Sequence, residues 1–525
     1  MINKILDNRF IVIYVIPFCL GSLTVFSFQP FNFSYINFIL LPLFFSLIVF
    51  VSKRTRNFYR KRPYKKNLFL IGFIFGFGFY LSGIYWISYS LTFDESFKVL
   101  IPFALILIPM FLGLFMGATI LFIGPFINYN ISSILLFSGS YALSDYIRGK
   151  VLTGFPWNLI GYSWSWFTEI LQILNYFGLY AFNLMAITIF TIPVVIFYRV
   201  KLSRKIIVLS LTFILVFLTY LYGSFSINKN KGLSNYLTKD DKIHIKVISP
   251  NFELDYNLQI DEIEKKIKKL IRYSDPDKSK KTIFIWPEGI FAGYDFKEIS
   301  NFKNIIKKNF GESHLIVFGV NYEYQKTNLF YNSFVIINNE FEILNKYKKR
   351  KLVPFGEFLP FENYLRQTGL KKITQGYGSF LKGKKQENIL IDDLNILPLI
   401  CYEIIFPELV QKSDHKTNLI INISEDGWFG NSIGPHQHFA KAIFRAIEND
   451  TYLIRSTNQG ISAIISNKGE IIKKLNAYET GNIELDVPLI KSEYKNKNDL
   501  IFFILLFTYL FIFLIFKKYK NAKKQ

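Results

Sequence analysis

Cysteine occurs twice in 525 residues, at Cys19 and Cys401. No disulfide framework can be built from two, so the thiols are either free or chemical. Charge is scarce as well, at 19% of residues. A chain so poor in charge and so rich in apolar side chains is not intrinsically disordered. Sustained heptads, internal repeats and low-complexity linkers are absent, which excludes a coiled coil or a repeat array. Acidic residues number 39 against 62 basic ones, a net charge of +23. In a soluble protein that excess would suggest nucleic acid. Here the basic residues crowd beside apolar stretches, from Lys53-Arg54-Thr55-Arg56 through Lys65-Lys66 and again at Lys517-Lys518-Tyr519-Lys520. That placement marks cytoplasmic membrane flanks, and no nucleic-acid partner is expected.

What is abundant is apolar surface: 51% hydrophobic residues, 57 of them Phe, with a mean hydropathy of +0.24. This exceeds what globular cores need, so part of the chain belongs in lipid. A membrane helix needs about 20 mostly apolar residues. Seven such stretches precede residue 225, at 10–28, 33–52, 67–91, 99–125, 131–147, 168–198 and 206–224, and an eighth stands alone at 499–516. The stretch at 131–147 is the weakest, diluted by Ser138, Ser140 and Ser144 and ended by Asp145. Three parts follow: a membrane domain at 1–224, a soluble-looking domain at 225–498, and a C-terminal span with a basic tail at 499–525. With Lys4 and Arg9 inside, the basic loops at 53–66 and 199–205 also fall inside, and seven spans place the large domain outside the cytoplasm.

Within 225–498, short β-rich runs at 243–248, 282–286, 315–320, 396–400 and 419–423 alternate with helical periodicity at 258–273, 297–309, 403–413 and 438–449. This pattern predicts an α/β domain. Three of its segments hold candidate chemistry. Cys401 follows an apolar run, and Glu403 and Pro407 after it suit a first helical turn. A thiol placed there meets N–H dipoles that favour the thiolate, although a small buried residue at a strand end would look the same. Glu288 closes a strand through Trp286-Pro-Glu-Gly289, placed as a general base or as a solvated turn acid. The run Tyr347-Lys-Lys-Arg-Lys-Leu-Val-Pro-Phe-Gly-Glu357 is either a solvated or lipid-facing cation cluster or the source of an ammonium for an oxyanion.

Taken together, Trp286-Pro-Glu288, Lys349 placed eight residues before Glu357, and Cys401-Tyr-Glu403 resemble the Glu-Lys-Cys triad of the nitrilase superfamily. With its flanking spans, the chain is similar to the apolipoprotein N-acyltransferase family. The likeness extends to Thr153-Gly-Phe-Pro-Trp157, Asp426-Gly-Trp-Phe-Gly430, Gly434-Pro-His-Gln-His438, Phe444-Arg-Ala-Ile-Glu448 and Arg455-Ser-Thr-Asn-Gln-Gly-Ile-Ser462. The sequence departs from the family at Lys351, where His is common, and at Ser424-Glu-Asp426, an altered form of a usual Asn-Asp pair.

The resemblance implies a multi-pass helical membrane domain joined to a nitrilase-like αββα sandwich. It implies Glu288 as general base, Cys401 as nucleophile and Lys349, with Lys348 as the fallback, as the oxyanion-stabilising cation. Glu357 and Glu403 would support the triad, and Tyr402 and Trp428 would lie near the acyl donor. The implied reaction moves an acyl chain from a phospholipid, expected to be phosphatidylethanolamine, through a Cys401 thioester to the amine of a diacylglyceryl-cysteine on an apolipoprotein. It needs no cofactor, and His436 and His438 lack companions at ligand spacing, so no metal is expected. A monomer in a bacterial inner membrane is implied, with its catalytic domain on the periplasmic side and Phe355, Phe358, Phe361, Trp428 and Phe429 available to dip into lipid. Two rivals stand beside it. A membrane-tethered amidase acting on a small amide would need one span, and a non-catalytic transporter or sensor would call for charges inside the spans.

Overall fold

The computed structural model describes residues 6–58, 63–234, 238, 241–255, 258–325, 327–362, 379–385, 387–411, 417–490 and 499–522. Residues 59–62 of the expected basic loop, 412–413 of the expected helix 403–413 and the last three residues of the tail lie outside them. The chain divides into two compact units, Met1–Phe225 with Asn498–Gln525, and Ser226–Lys497.

The first unit is helical. Among the described residues, six helices are long and apolar enough to cross a membrane: Ser34–Lys53, Tyr64–Thr92, Glu95–Phe126, Leu174–Phe197, Leu202–Lys231 and Leu500–Tyr519. Two of the eight expected spans fall short of that measure. Ile11–Ser27 is a shorter apolar helix. Ile131–Lys150 is a helix whose serines and charges dilute it, and it continues past Asp145. Asp145 is buried there rather than marking an edge. Its carboxylate pairs with Arg148 at 2.9 Å and accepts from Asn183 Nδ2 at 2.9 Å, while Arg148 also donates to the Phe155 carbonyl. The two buried charges thereby offset one another. Where the helices holding Gly76 and Gly113 cross, an added Cβ on Gly76 would lie 2.9 Å from the Gly113 Cα, so the absence of side chains sets the spacing.

The second unit holds two six-stranded sheets. The first has the order β12-β1-β2-β3-β4-β5, and the second β11-β10-β9-β8-β7-β6. The first is built from β1 (Lys242–Ser249), β2 (Thr282–Ile285), β3 (His314–Glu323), β4 (Phe330–Ile337), β5 (Ile343–Lys348) and β12 (Gly481–Pro488). The second is built from β6 (Ile389–Ile391), β7 (Leu394–Ile400), β8 (Leu419–Glu425), β9 (Leu453–Asn458), β10 (Ser462–Ile465) and β11 (Ile471–Leu475). Each has a parallel centre, β1-β2-β3 and β7-β8-β9, with antiparallel strands outside it. Parallel strands need covering on both faces, which explains their unbroken apolar runs. Ser456 Oγ donates to the Ile248 carbonyl at 2.8 Å, fastening one sheet to the other.

Helix α1 (Ile260–Ser274) lays Ile263, Ile267, Leu270 and Ile271 on the outer face of the first sheet against Phe284, Trp286, Ile316 and Phe318. Its start is fixed by a capping box between Gln259 and Glu262. Helix α2 (Gly434–Asn449) covers the second sheet and is buried along nearly its whole length. The five expected strands are all present, but the expected helix at 297–309 is two short pieces, Phe296–Ser300 and Lys303–Asn309. The expected helix at 403–413 begins instead as a 3-10 turn, Cys401–Ile405, with a short helix only from Pro407 to Gln411.

Candidate active site

The site forms where the carboxyl ends of the two parallel centres meet. Glu288 sits on the turn after β2, Lys349 just beyond β5, Cys401 just beyond β7, and Glu425 at the end of β8. All are buried. Lys349 Nζ donates to Glu357 Oε1 at 2.9 Å and to Glu288 Oε1 at 3.3 Å. Burial acts to lower its pKa, but the two carboxylates outweigh burial and hold the ammonium well above the usual range. The fallback, Lys348, points away from this cluster and lies over the Tyr331 ring at 4.0 Å, as strand alternation requires of a neighbour.

The Cys401 backbone is left-handed, with φ of +46°. Its Sγ lies 4.0 Å from the Glu425 carbonyl. Burial, reinforced by the charge of Glu288 and opposed by Lys349, pushes the thiol well above its usual range. The helix whose N–H dipoles were expected to favour the thiolate does not begin at Cys401, where the chain forms a 3-10 turn instead. The five-residue 3-10 turn at Cys401 supplies too little dipole to outweigh burial.

Two residues to which the sequence assigns no role complete this cluster. Asn332, in mid-β4, gives both amide hydrogens to carboxylates, at 2.6 Å to Glu288 Oε1 and 2.8 Å to Glu357 Oε1. A buried Asn beside Ser333 in a strand of otherwise apolar and aromatic residues was the available signal. Glu425 donates its backbone N–H to Glu288 Oε2 at 3.2 Å, while its own carboxyl accepts from Gly427 and Asn458. Burial pushes that carboxyl up to about 8.

Glu403 lies in the Cys401 turn and is fully buried. Its carboxylate accepts from the backbone N–H of Ile400 at 2.9 Å and of Arg350 at 2.7 Å, and from the Tyr347 hydroxyl at 2.8 Å. It thereby joins the Cys401 turn to the Lys349 segment. Glu357 is held likewise by the Val353 N–H at 2.9 Å. Tyr402 is buried edge-on against Phe406, with ring centres 5.0 Å apart. Trp428 is half-buried on the turn after β8. Of the aromatics expected to dip into lipid, Phe355 and Phe361 are exposed and Phe358 is half-buried. Phe429 is instead packed against His438, with ring centres 5.2 Å apart. His438 belongs to a buried network in which Asp426 accepts from Ser424, Arg455 and His438. Arg455 and His438 hold the Asp426 carboxyl well below its usual range despite burial. Burial pushes His438 down to about 4.

Residues 264–492, which hold both sheets' parallel centres apart from β1, match the family model described as carbon-nitrogen hydrolase, and this places the chain's second unit in that class. A solved nitrilase-superfamily amidase from Nesterenkonia aligns at 16% identity over 47% of this chain and 90% of its own, with a TM-score of 0.35. Residues 20–192 match the model of the apolipoprotein N-acyltransferase N-terminal domain. Proteins named apolipoprotein N-acyltransferase are similar over nearly the whole length. One from Rickettsia prowazekii is 31% identical, covering 95% of this chain and 97% of its own. One from Rickettsia typhi is 32% identical, covering 94% and 98%, and one from Rhodopseudomonas palustris is 29% identical, covering 90% and 89%. The chain belongs to the apolipoprotein N-acyltransferase family.

Proposed function

We propose that the chain transfers a fatty acyl group from a membrane phospholipid, through a thioester on Cys401, to the N-terminal amine of a diacylglyceryl-cysteine on an apolipoprotein. The observation that carries this reading is the convergence of Glu288, Lys349 and Cys401 in one buried cluster within a chain of this family. Glu288 takes the Cys401 proton, and the thiolate attacks the donor ester carbonyl. Lys349 stabilises the oxyanion. The intermediate collapses, the C–O bond breaks, and the lysophospholipid leaves with the proton from Glu288. The acceptor amine then attacks the thioester carbonyl and loses a proton to Glu288, and the C–S bond breaks. That proton returns to sulfur. Splitting the transfer in two gives ping-pong kinetics.

Phosphatidylethanolamine is the proposed donor and a monomer the proposed state. An inner-membrane position with the sheet unit on the periplasmic side follows from the basic loops, because cytoplasmic loops carry the excess of Lys and Arg. The tethered-amidase alternative leaves most of the apolar helices without a use. Intact-protein mass spectrometry tests the reading. Incubation with phospholipid should add an acyl mass that hydroxylamine removes, that Cys401→Ala and Glu288→Gln lack, and that passes to a diacylated lipopeptide. No added mass, with hydrolysis of small amides instead, would overturn the transferase.

A further inference from the structure

The lysine run before Leu352 is divided by the fold. Lys349 turns inward, while Lys346 and Lys348 remain on the opposite face of β5, the last strand of its sheet. There Lys346 Nζ lies 3.7 Å above the Tyr322 ring centre and Lys348 Nζ 4.0 Å above that of Tyr331. A segment more than thirty residues downstream brings a third ammonium. Leu381 N–H bonds the Phe330 carbonyl and Gly383 N–H the Lys349 carbonyl, both at 2.8 Å. The approach is so close that a Cβ on Gly383 would fall 2.2 Å from the Lys348 carbonyl oxygen. Lys384, on this segment, is near enough to Lys348 that its charge and that of Lys346 add to burial in lowering the Lys348 pKa. None of the three ammoniums forms an ion pair among the described residues, and Glu323 at the end of β3 is taken by Lys297 at 2.7 Å. Beside them, Tyr324 is 36% and Leu329 45% exposed.

Unneutralised cations next to exposed aromatic and aliphatic side chains are the composition that binds anionic bilayer surfaces. The corner also has a defined place in the sheet. Both connections to apolar helices leave from β1 and β12, paired at one edge. β5 is the opposite edge, five strand spacings or about 24 Å away. We propose that this corner is a lipid-docking surface, where Lys346, Lys348 and Lys384 bind anionic phospholipid headgroups and Tyr324 and Leu329 enter the interface. The inference rests on the membrane attachment and not on the catalytic reading.

The test uses the full chain in lipid nanodiscs, with Leu329→Cys carrying an environment-sensitive fluorophore in a Cys19→Ser, Cys401→Ala background. No turnover is needed, so failure here leaves the acyl-transfer reading standing. Adding phosphatidylglycerol to phosphatidylcholine discs should shift the emission to the blue, and high salt should reverse it. Lys346→Gln with Lys348→Gln and Lys384→Gln should lower the docked-to-undocked ratio about a hundred-fold, roughly five-fold for each lysine. Equal emission in neutral and anionic discs, or a shift the triple variant keeps, would overturn the proposal. So would a shift produced by soluble polyglutamate but not by lipid, which would point to an acidic polypeptide.

Discussion

Asn332 spends both hydrogens of one amide on the carboxylates that flank Lys349. Hydrogen bonds to charged groups are worth about 1.5 to 3 kcal/mol each. Asn332→Ala should therefore slow acylation of Cys401 by about ten- to a hundred-fold, read as the rate at which the acyl mass appears, with the folded chain retained. A second expectation concerns His438, whose pKa is pushed down to about 4 by burial, against about 6.5 in an unfolded chain. Below 6.5 the unfolded state takes up a proton that the native state refuses. Stability is therefore complete above that pH and falls progressively between about 6.5 and 4, by about 3 kcal/mol. Melting temperature measured across that range should drop for the native sequence and drop less for His438→Asn. Glu288, Lys349, Glu357, Cys401 and Glu403 were legible because each stands in a distinctive short motif. Asn332 and Glu425 were not, since their roles arise from pairing between β4 and the turn after β2, and between sheets, which no local pattern carries.

Elements show the same division. The strands β1, β2, β3, β7 and β8 were visible as apolar runs because parallel strands are buried on both faces. The polar strands β5, with Lys346 and Lys348, and β11, with Lys473 and Lys474, lack that signature and escaped notice. The 3-10 turn at Cys401 was mistaken for a helix because Glu403 and Pro407 are capping residues in either setting. In the helical unit, the crossing at Gly76 and Gly113 leaves no room for a side chain. Gly76→Leu should force the two helices apart, costing about 1 to 3 kcal/mol as overpacking does. A lowered melting temperature in detergent, with the sheet unit's protease resistance unchanged, would show it.

At the scale of the molecule, the proposed orientation rests on the placement of charge. Arg199, Lys201, Arg204 and Lys205 precede or open the helix Leu202–Lys231, and the topology proposed above, built on the positive-inside rule, puts them in the cytoplasm. A cysteine replacing Lys201 should stay unlabelled by an impermeant maleimide in intact cells, while one replacing the exposed Lys281 of the sheet unit is labelled once the outer membrane is opened. The reverse pattern would invert the proposed topology. The count of spans was harder to read than their existence, because Ile131–Lys150 carries the buried Asp145 and Arg148 whose mutual pairing only the fold reveals.

The left-handed backbone of Cys401 has one more implication. Such a conformation costs a side-chain-bearing residue about 1 to 3 kcal/mol, and glycine alone would adopt it freely. A chain selected only for durability would carry glycine at the end of β7. That a cysteine stands there instead means the sulfur is held on strained main chain, and the fold is permanently less robust at this residue than its own architecture would allow.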